Sequence, residues 1–419
     1  MLFKQATAIL VCCASVLQIS AQKDCSNDHL GRTPLIDLTD GYFNGIRGGL
    51  YPEGSNIRPA EHLTECIEHV QAITPMDIYG NPNPNGKVVM LGIGASNPMT
   101  EFQQFIDFSN DYEPVNDNLK IINACVGGQG IQKMFDITDN YWSGVVNGLE
   151  DQGLSAEQVQ VVWIEQDNTR AYDTIFPSAP NALVNDYQLL LHVIHELFPN
   201  VQICYITARA YSGYADPVDP EVSGGLLYPR DYFNGWAIKF LIEKVINHAF
   251  GFESEGPSAQ IPLVTWGTYH WSDGSTPRED GLYLDCDLDV GPDGLHLSGV
   301  GEYKMGSLLF DYFKTDTTAK YWYLDEDFTG ITTPETDVEL RVWPNPVKNG
   351  TIHVDIPSTL IGADTQWMIY DMAGRAVLAG KEISGTELNI DVTTLADGMY
   401  TFNCRDAQRQ YHARMVIAH

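Results

Sequence analysis

Four short stretches of this chain carry side chains of the kind that acyl transfer uses. They are Ser96 after an apolar run, Asn123-Ala124-Cys125-Val126-Gly127-Gly128-Gln129, Glu165-Gln166-Asp167-Asn168, and Asp293-Gly294-Leu295-His296. Moving an acyl group to water needs a nucleophile, a base for its proton, a carboxylate that holds the base's tautomer, and donors aimed at the developing oxyanion. Ser96 can serve as the nucleophile, His296 as the base and Asp293 as the carboxylate. An aspartate three residues before a histidine, just ahead of a helix, puts both side chains on one loop.

These residues need a frame that brings them together. Val88-Val89-Met90-Leu91-Gly92-Ile93-Gly94 reads as a buried strand that breaks at Ala95-Ser96 into a helix, with Asn97 as N-cap and Pro98 as first helical residue. Met99, Phe102 and Phe105 or Ile106 then share one helix side. Further apolar runs at 120–126, 159–164, 201–207 and 262–266 alternate with helical patterns near 181–198, 235–250 and 299–313. In the first of these helices Leu183, Tyr187, Leu190, Leu191, Ile194 and Leu197 form one stripe. Continuous rather than alternating apolarity implies strands buried on both faces, hence a parallel sheet between helical layers. The fold expected is flavodoxin-like three-layer α/β/α with a five-stranded parallel sheet, and the polar stretches meet at one sheet edge. A Gly-, Pro- and Asn-rich segment from 24 to 85, with one helix near 59–73, forms an N-terminal cover.

Composition narrows the partners. Against 24 Lys and Arg stand 55 Asp and Glu, a formal charge of −31 that repels nucleic acid and anionic lipid. Residues 1–21 have Lys4, an apolar run from Ala6 to Leu17 and a small residue at Ala21, the pattern of a cleaved signal peptide. No later run approaches the ~18 apolar residues of a membrane span. Export permits disulfides, and Cys25, Cys66 and Cys286 lie in polar contexts where one pair could form; the sequence leaves the pairing open. Cys125 and Cys204 lie in core strands and are expected as buried thiols. Without a CxxC, a cysteine zinc site has no support; no cofactor and no metal are expected.

Gly-Ala-Ser-Asn at 94–97, Asn-x-x-x-Gly-Gly from Asn123, a polar amide after the third strand, and Asp-Gly-Leu-His-Leu-Ser from Asp293 with its following helix resemble the SGNH (GDSL-type) hydrolases over about residues 86–315. The resemblance implies a serine esterase with Ser96, His296 and Asp293 as catalytic residues. It further implies an oxyanion hole of the Ser96 and Gly128 N–H groups and a third-block amide. Gln166 is placed there, with Asn168 as substitute. Two departures stand out: the family's Gly-Asp-Ser is Gly-Ala-Ser here, and its third-block asparagine after a glycine is replaced by Trp-Ile-Glu-Gln-Asp-Asn.

A polar stretch with turn residues, 326–337, separates a domain of residues 22–325 from short alternating strands in 338–419, a small all-β sandwich. Val342-Trp343-Pro344-Asn345-Pro346, Ile369-Tyr370-Asp371-Met372-Ala373-Gly374-Arg375 and Leu395-Ala396-Asp397-Gly398-Met399-Tyr400 resemble the type A sorting domain of Bacteroidetes type IX secretion. That resemblance implies the secretion machinery as a partner of residues 338–419 and a secreted or cell-surface protein that passes through the periplasm.

Other motifs in the chain fall short of the chemistry they suggest. His195-Glu196-Leu197-Phe198-Pro199 lacks the second histidine of a helical zinc protease site, and no Gly-x-Ser-x-Gly occurs. Asp285, Asp287, Asp289 and Asp293 lack the bidentate glutamate of a calcium loop and read as a solvated loop. The aromatic stretches Arg209-Ala210-Tyr211-Ser212-Gly213-Tyr214 and Trp266-Gly267-Thr268-Tyr269-His270-Trp271 fit a sugar-binding surface or a finished core equally. The expected substrate is an ester or acylated glycan carrying a short acyl group. The rivals are a lipase or arylesterase, and a non-catalytic glycan-binding surface protein.

Overall fold

A computed structural model of the chain describes residues 22–216, 224–325, 340–348, 350–356, 366–371, 376–381, 385–405 and 410–418. The expected signal peptide, 1–21, and the expected linker, 326–337, lie outside the described residues. The chain divides into two compact units, Met1–Asp325 and Glu326–His419.

In the first unit, β1 (Val88–Gly94), β2 (Leu119–Asn123), β3 (Val159–Glu165), β4 (Ile203–Ala208) and β5 (Leu263–Tyr269) form one sheet in the order β2-β1-β3-β4-β5. Every pairing is parallel. All residues of β1, β3 and β4 are buried, which is why their apolar runs do not alternate. Flanking the sheet are α1 (Ala60–Gln71), α2 (Ser96–Asn110), α3 (Asn140–Glu150), α4 (Ser178–Leu197), α5 (Arg230–Ile246), α6 (Gly299–Thr315) and α7 (Thr317–Tyr323). Helices α1, α2, α6 and α7 pack on one face and α3, α4 and α5 on the other, as right-handed crossovers require for this strand order. The result is the three-layer α/β/α fold with its switch of direction between β1 and β3, where such sheets open a crevice.

The apolar stripe of α4 turns inward with Leu183, Tyr187, Leu190, Leu191 and Ile194 buried, while Leu197 at the helix end is half-buried. Helices α3 and α7 have no counterpart among the sequence-based elements. The α3 segment contains Gly144 and Gly148, poor helix formers, and is held by burial of Tyr141, Trp142, Val145 and Leu149. One disulfide joins Cys25 to Cys286, 261 residues apart, and ties the N-terminal cover to the loop preceding Asp293. Cys66 is the odd member of the three candidates: it lies on the buried side of α1, and its thiol is free. Cys125 and Cys204 are buried thiols.

In the second unit the described strands pair antiparallel. One sheet has β6 (Val342–Trp343), β7 (Thr351–Asp355) and β10 (Glu387–Asp391) in the order β6-β7-β10. The other runs β9-β8-β11-β12, with β8 (Gln366–Asp371), β9 (Ala376–Lys381), β11 (Gly398–Arg405) and β12 (Gln410–Ile417). Its core holds Ile352, Val354, Ile369, Ile390, Phe402 and Met415 and is separate from the core of the first unit.

Candidate active site

Strand β1 ends at Gly94 and α2 begins at Ser96, so a single residue, Ala95, separates the strand from the helix. This tight junction needs Gly94: a Cβ there would lie 2.4 Å from Pro98 and 3.0 Å from the Glu165 carbonyl oxygen. Gly92 likewise leaves room for the Phe102 ring, which a Cβ would meet at 2.4 Å. The helix starts two residues earlier than the Asn97-Pro98 pair suggests, and Pro98 is its third residue. Proline is tolerated there because the first four helical N–H groups have no intrahelical acceptor anyway.

Asn97 therefore does not cap the helix. Its Nδ2 donates to the Leu295 carbonyl at 3.0 Å and its Oδ1 accepts from the Leu297 N–H at 3.2 Å. One side chain thus clamps the start of α2 to the loop that carries the histidine. Within that loop Asp293 Oδ1 accepts from the N–H groups of Leu295 and His296, at 3.0 and 2.9 Å. Asp293 Oδ2 meets His296 Nδ1 at 2.5 Å, and His296 Nε2 meets Ser96 Oγ at 2.7 Å. Serine, imidazole and carboxylate form one hydrogen-bonded chain. Burial raises the Asp293 carboxyl, but the hydrogen bonds from His296 and the backbone outweigh it and hold the group down at about 2. The same Asp293 bond pushes His296 above the ordinary imidazole value, against partial burial and the Arg209 guanidinium.

Ser96, Asn97, Gln166, Asp167, Thr169, Arg209, Leu226, Leu295 and His296 are among the residues lining a small cleft of about 40 Å³ at this strand edge. Gln166 is in its wall, but its Nε2 donates to the Gln129 carbonyl at 3.1 Å and approaches Met134 Sδ at 3.4 Å. Asn168 faces α4, with its Nδ2 on Asp186 Oδ2 at 2.8 Å. Gly128 has a left-handed φ of 72° on an exposed turn outside the lining residues, and its carbonyl accepts from Lys133. The structure thus brings Ser96, His296 and Gln166 to one cleft, with Asp293 bonded to His296, and places Gly128 and the Asn168 amide away from it.

Two features were not among the sequence-based site residues. Arg209, directly after β4, enters the cleft wall. Behind Ser96, Glu101 of α2, Glu165 at the end of β3 and His270 just after β5 meet in full burial. His270 Nδ1 is 3.1 Å from Glu101 and 3.4 Å from Glu165, and its Nε2 is 2.7 Å from Thr268 Oγ1. This trio has the donor set of a metal site, with ligand atoms within 4.8 Å of one another. Two glutamates and a histidine on or just after three separated elements leave no sequence spacing to find; a glutamate ending an apolar strand was the one available signal.

The aromatic stretches are core. Tyr211, Tyr214, Trp266, Tyr269 and Trp271 are all buried, so they offer no surface for a sugar. The acidic run disperses into separate tasks: Asp285 caps a short helix, Asp289 is buried against Lys304, and Asp293 holds His296.

No curated protein matches the chain. Residues 341–418 match the model of the secretion system C-terminal sorting domain. This segment is a sorting domain. It marks the protein for type IX secretion, to the cell surface or beyond. Among the described residues no helix is long and apolar enough to cross a membrane. PorZ, a surface component of the type IX secretion system of Porphyromonas gingivalis, is 17% identical over 21% of this chain, with TM-score 0.17; the match spans only 13% of PorZ. A candidate SGNH hydrolase from Slackia heliotrinireducens is 13% identical, covering 54% of this chain and 99% of its own, with TM-score 0.32. A gut microbial diltiazem-metabolizing enzyme is 11% identical over 74% of this chain and 72% of its own, with TM-score 0.31. At such values these likenesses carry no chemistry; outside the sorting domain, the side chains of the cleft must supply it.

Proposed function

We propose that the protein is an exported serine esterase of the SGNH type that hydrolyses short acyl esters. The observation that carries this reading is the chain from Asp293 through His296 to Ser96 at 2.5 and 2.7 Å, open to a cleft at the switch point of the sheet. His296 accepts the Ser96 proton as the hydroxyl oxygen attacks the ester carbonyl, then gives it to the departing alkoxide. A water, deprotonated by the same imidazole, releases the acid and restores Ser96. Asp293 holds the tautomer with Nδ1 protonated and stabilises the imidazolium.

The developing oxyanion forms at the N-terminus of α2, where the Ser96 N–H has no intrahelical acceptor and the helix dipole is positive. Gln166 is the further donor, exchanging the Gln129 carbonyl for the oxyanion. The cleft is small, about 40 Å³, which suits a short acyl group. Export puts the enzyme among extracellular polymers, so acyl groups on polysaccharide are the substrates we propose.

The test is active-site labelling. A fluorophosphonate probe should modify Ser96, located by peptide mass spectrometry, and release of acetate from an acetylated polysaccharide should exceed hydrolysis of a long-chain ester. Labelling elsewhere, with Ser96→Ala retaining turnover, overturns the proposal.

A further inference from the structure

Among the described residues Arg209 is a cation with no hydrogen-bond acceptor. In a chain of 24 basic and 55 acidic residues, its side chain is only 9% exposed, yet it lines the same cleft as Ser96 and His296. Among the described residues its guanidinium donates no hydrogen bond, and Nη1 is buried without a partner. The one ion pair, to Asp167 Oδ2 at 3.7 Å, is beyond hydrogen-bond reach. Asp167 is already engaged: it accepts from the Asn168 N–H at 2.7 Å and Asn234 Nδ2 at 3.2 Å, and it pairs with Arg230 at 3.5 Å. Asp231 Oδ2 is taken by the Ser212 N–H and Trp271 Nε1, both at 2.9 Å, and its buried Oδ1, although it feels the Arg209 charge, makes no hydrogen bond with the guanidinium. Glu165, the other carboxylate in the wall, pairs with His270.

A guanidinium taken out of water without acceptors is costly, and its planar fork matches a carboxylate. The backbone that carries it is held before any ligand arrives, since the Arg209 N–H donates to Asn234 Oδ1 at 3.2 Å.

We infer that Arg209 is the receptor for a carboxylate that the substrate carries beside its ester, so that the esters preferred at Ser96 are anionic ones. The inference rests on the esterase reading for where the reacting bond lies. The carboxylate could sit on the alcohol side, as in an acetylated uronic acid, or on the acyl side, as in a half-ester of a dicarboxylic acid.

Two matched pairs separate these sources. The first is acetylated methyl glucuronoside against acetylated methyl glucoside, and the second is 4-nitrobenzyl hydrogen succinate against 4-nitrobenzyl butyrate. The wild type should show the higher kcat/KM on the anionic member of one pair, and that pair names the source. Arg209→Gln should lower the anionic-to-neutral ratio about 10- to 100-fold, chiefly through KM, the usual worth of a charged hydrogen bond. Arg209→Lys, which keeps the charge but not the fork, should recover part of it and shows that the fold survives. A wild-type ratio near one for both pairs, or a ratio unmoved by Arg209→Gln, overturns the inference; an equal fall in kcat on both members does so too and makes Arg209 an oxyanion donor. If neither pair is turned over, the esterase reading has failed, and calorimetry on Ser96→Ala still decides: equal affinity for the glucuronoside and the glucoside rules the carboxylate receptor out.

Discussion

Ser96 Oγ and His296 Nε2 lie 2.7 Å apart across a separation of 200 residues. The contact joins the N-terminus of α2 to the loop before α6, two helices that pack on the same face of the sheet. Because proton transfer runs through this one contact, the two residues should act as a unit. Ser96→Ala and His296→Ala should each lower kcat on the order of 10⁶-fold, and the double variant should lose no more than either alone. Additive losses, with melting temperatures unchanged, would show that they act separately.

Asn97 is the clamp that sets this distance. Asn97→Ala removes two hydrogen bonds to the histidine loop and should lower kcat about 10- to 100-fold, with ~1–2 kcal/mol of stability lost. Asn97→Asp, which keeps the acceptor for the Leu297 N–H and loses the donor to Leu295, should fall between. Steady-state kinetics beside thermal melts measure both effects.

The pH profile follows from His296. Its pKa is raised by Asp293, and only the neutral imidazole accepts the Ser96 proton, so kcat/KM should rise with pH through a midpoint above 6.5. Asp293→Asn removes the largest raising cause. The midpoint should move down while the plateau falls on the order of 10⁴-fold, less than for Ser96→Ala. A midpoint that stays in place would separate Asp293 from the titration.

Glu101, Glu165 and His270 tie stability to pH. Burial and Glu165 push the Glu101 carboxyl up to about 7, while His270, lowered by burial, is lifted by the two carboxylates to about 9. Both groups bind protons more tightly in the folded state, so their contribution is present at low pH and lost as pH rises. The Glu101 part fades between about 4.5 and 7, and the His270 part between about 6.5 and 9. The melting temperature should therefore fall from pH 6 to pH 9. His270→Gln leaves two buried carboxylates without their cation and should cost about 3–5 kcal/mol at neutral pH. Glu101→Gln should make the alkaline fall shallower, readable in melts across the same range.

The two units have separate cores. A chain ending at Asp325 should fold and keep its kcat, but stay inside the envelope of a producing cell, while residues 338–419 fused to a passenger should direct export. Loss of folding on truncation would mean that the first unit depends on the tail.

The sequence alone determined the sheet and the sorting tail. Strands buried on both faces are close to continuously apolar, as residues 88–94, 161–164 and 203–206 are, and with the runs at 120–126 and 262–266 five parallel strands were legible. Ser96 and the Asp293-x-x-His296 block were legible because a strand break and an i,i+3 loop pair are local. The start of α2 was read two residues late, since Asn97 looks like a cap until the loop it clamps is in place. Only the tertiary structure chose Cys286 over Cys66 for Cys25, turned the Asn168 amide towards Asp186, and buried the aromatics after β4 and β5. Among the described residues it alone left Arg209 without a hydrogen-bond acceptor and gathered Glu101, Glu165 and His270 behind the serine. The physical reason is the same in each case. Hydrogen-bond partners and burial are decided by elements far apart in the chain, whereas periodicity and turn chemistry are written between neighbours.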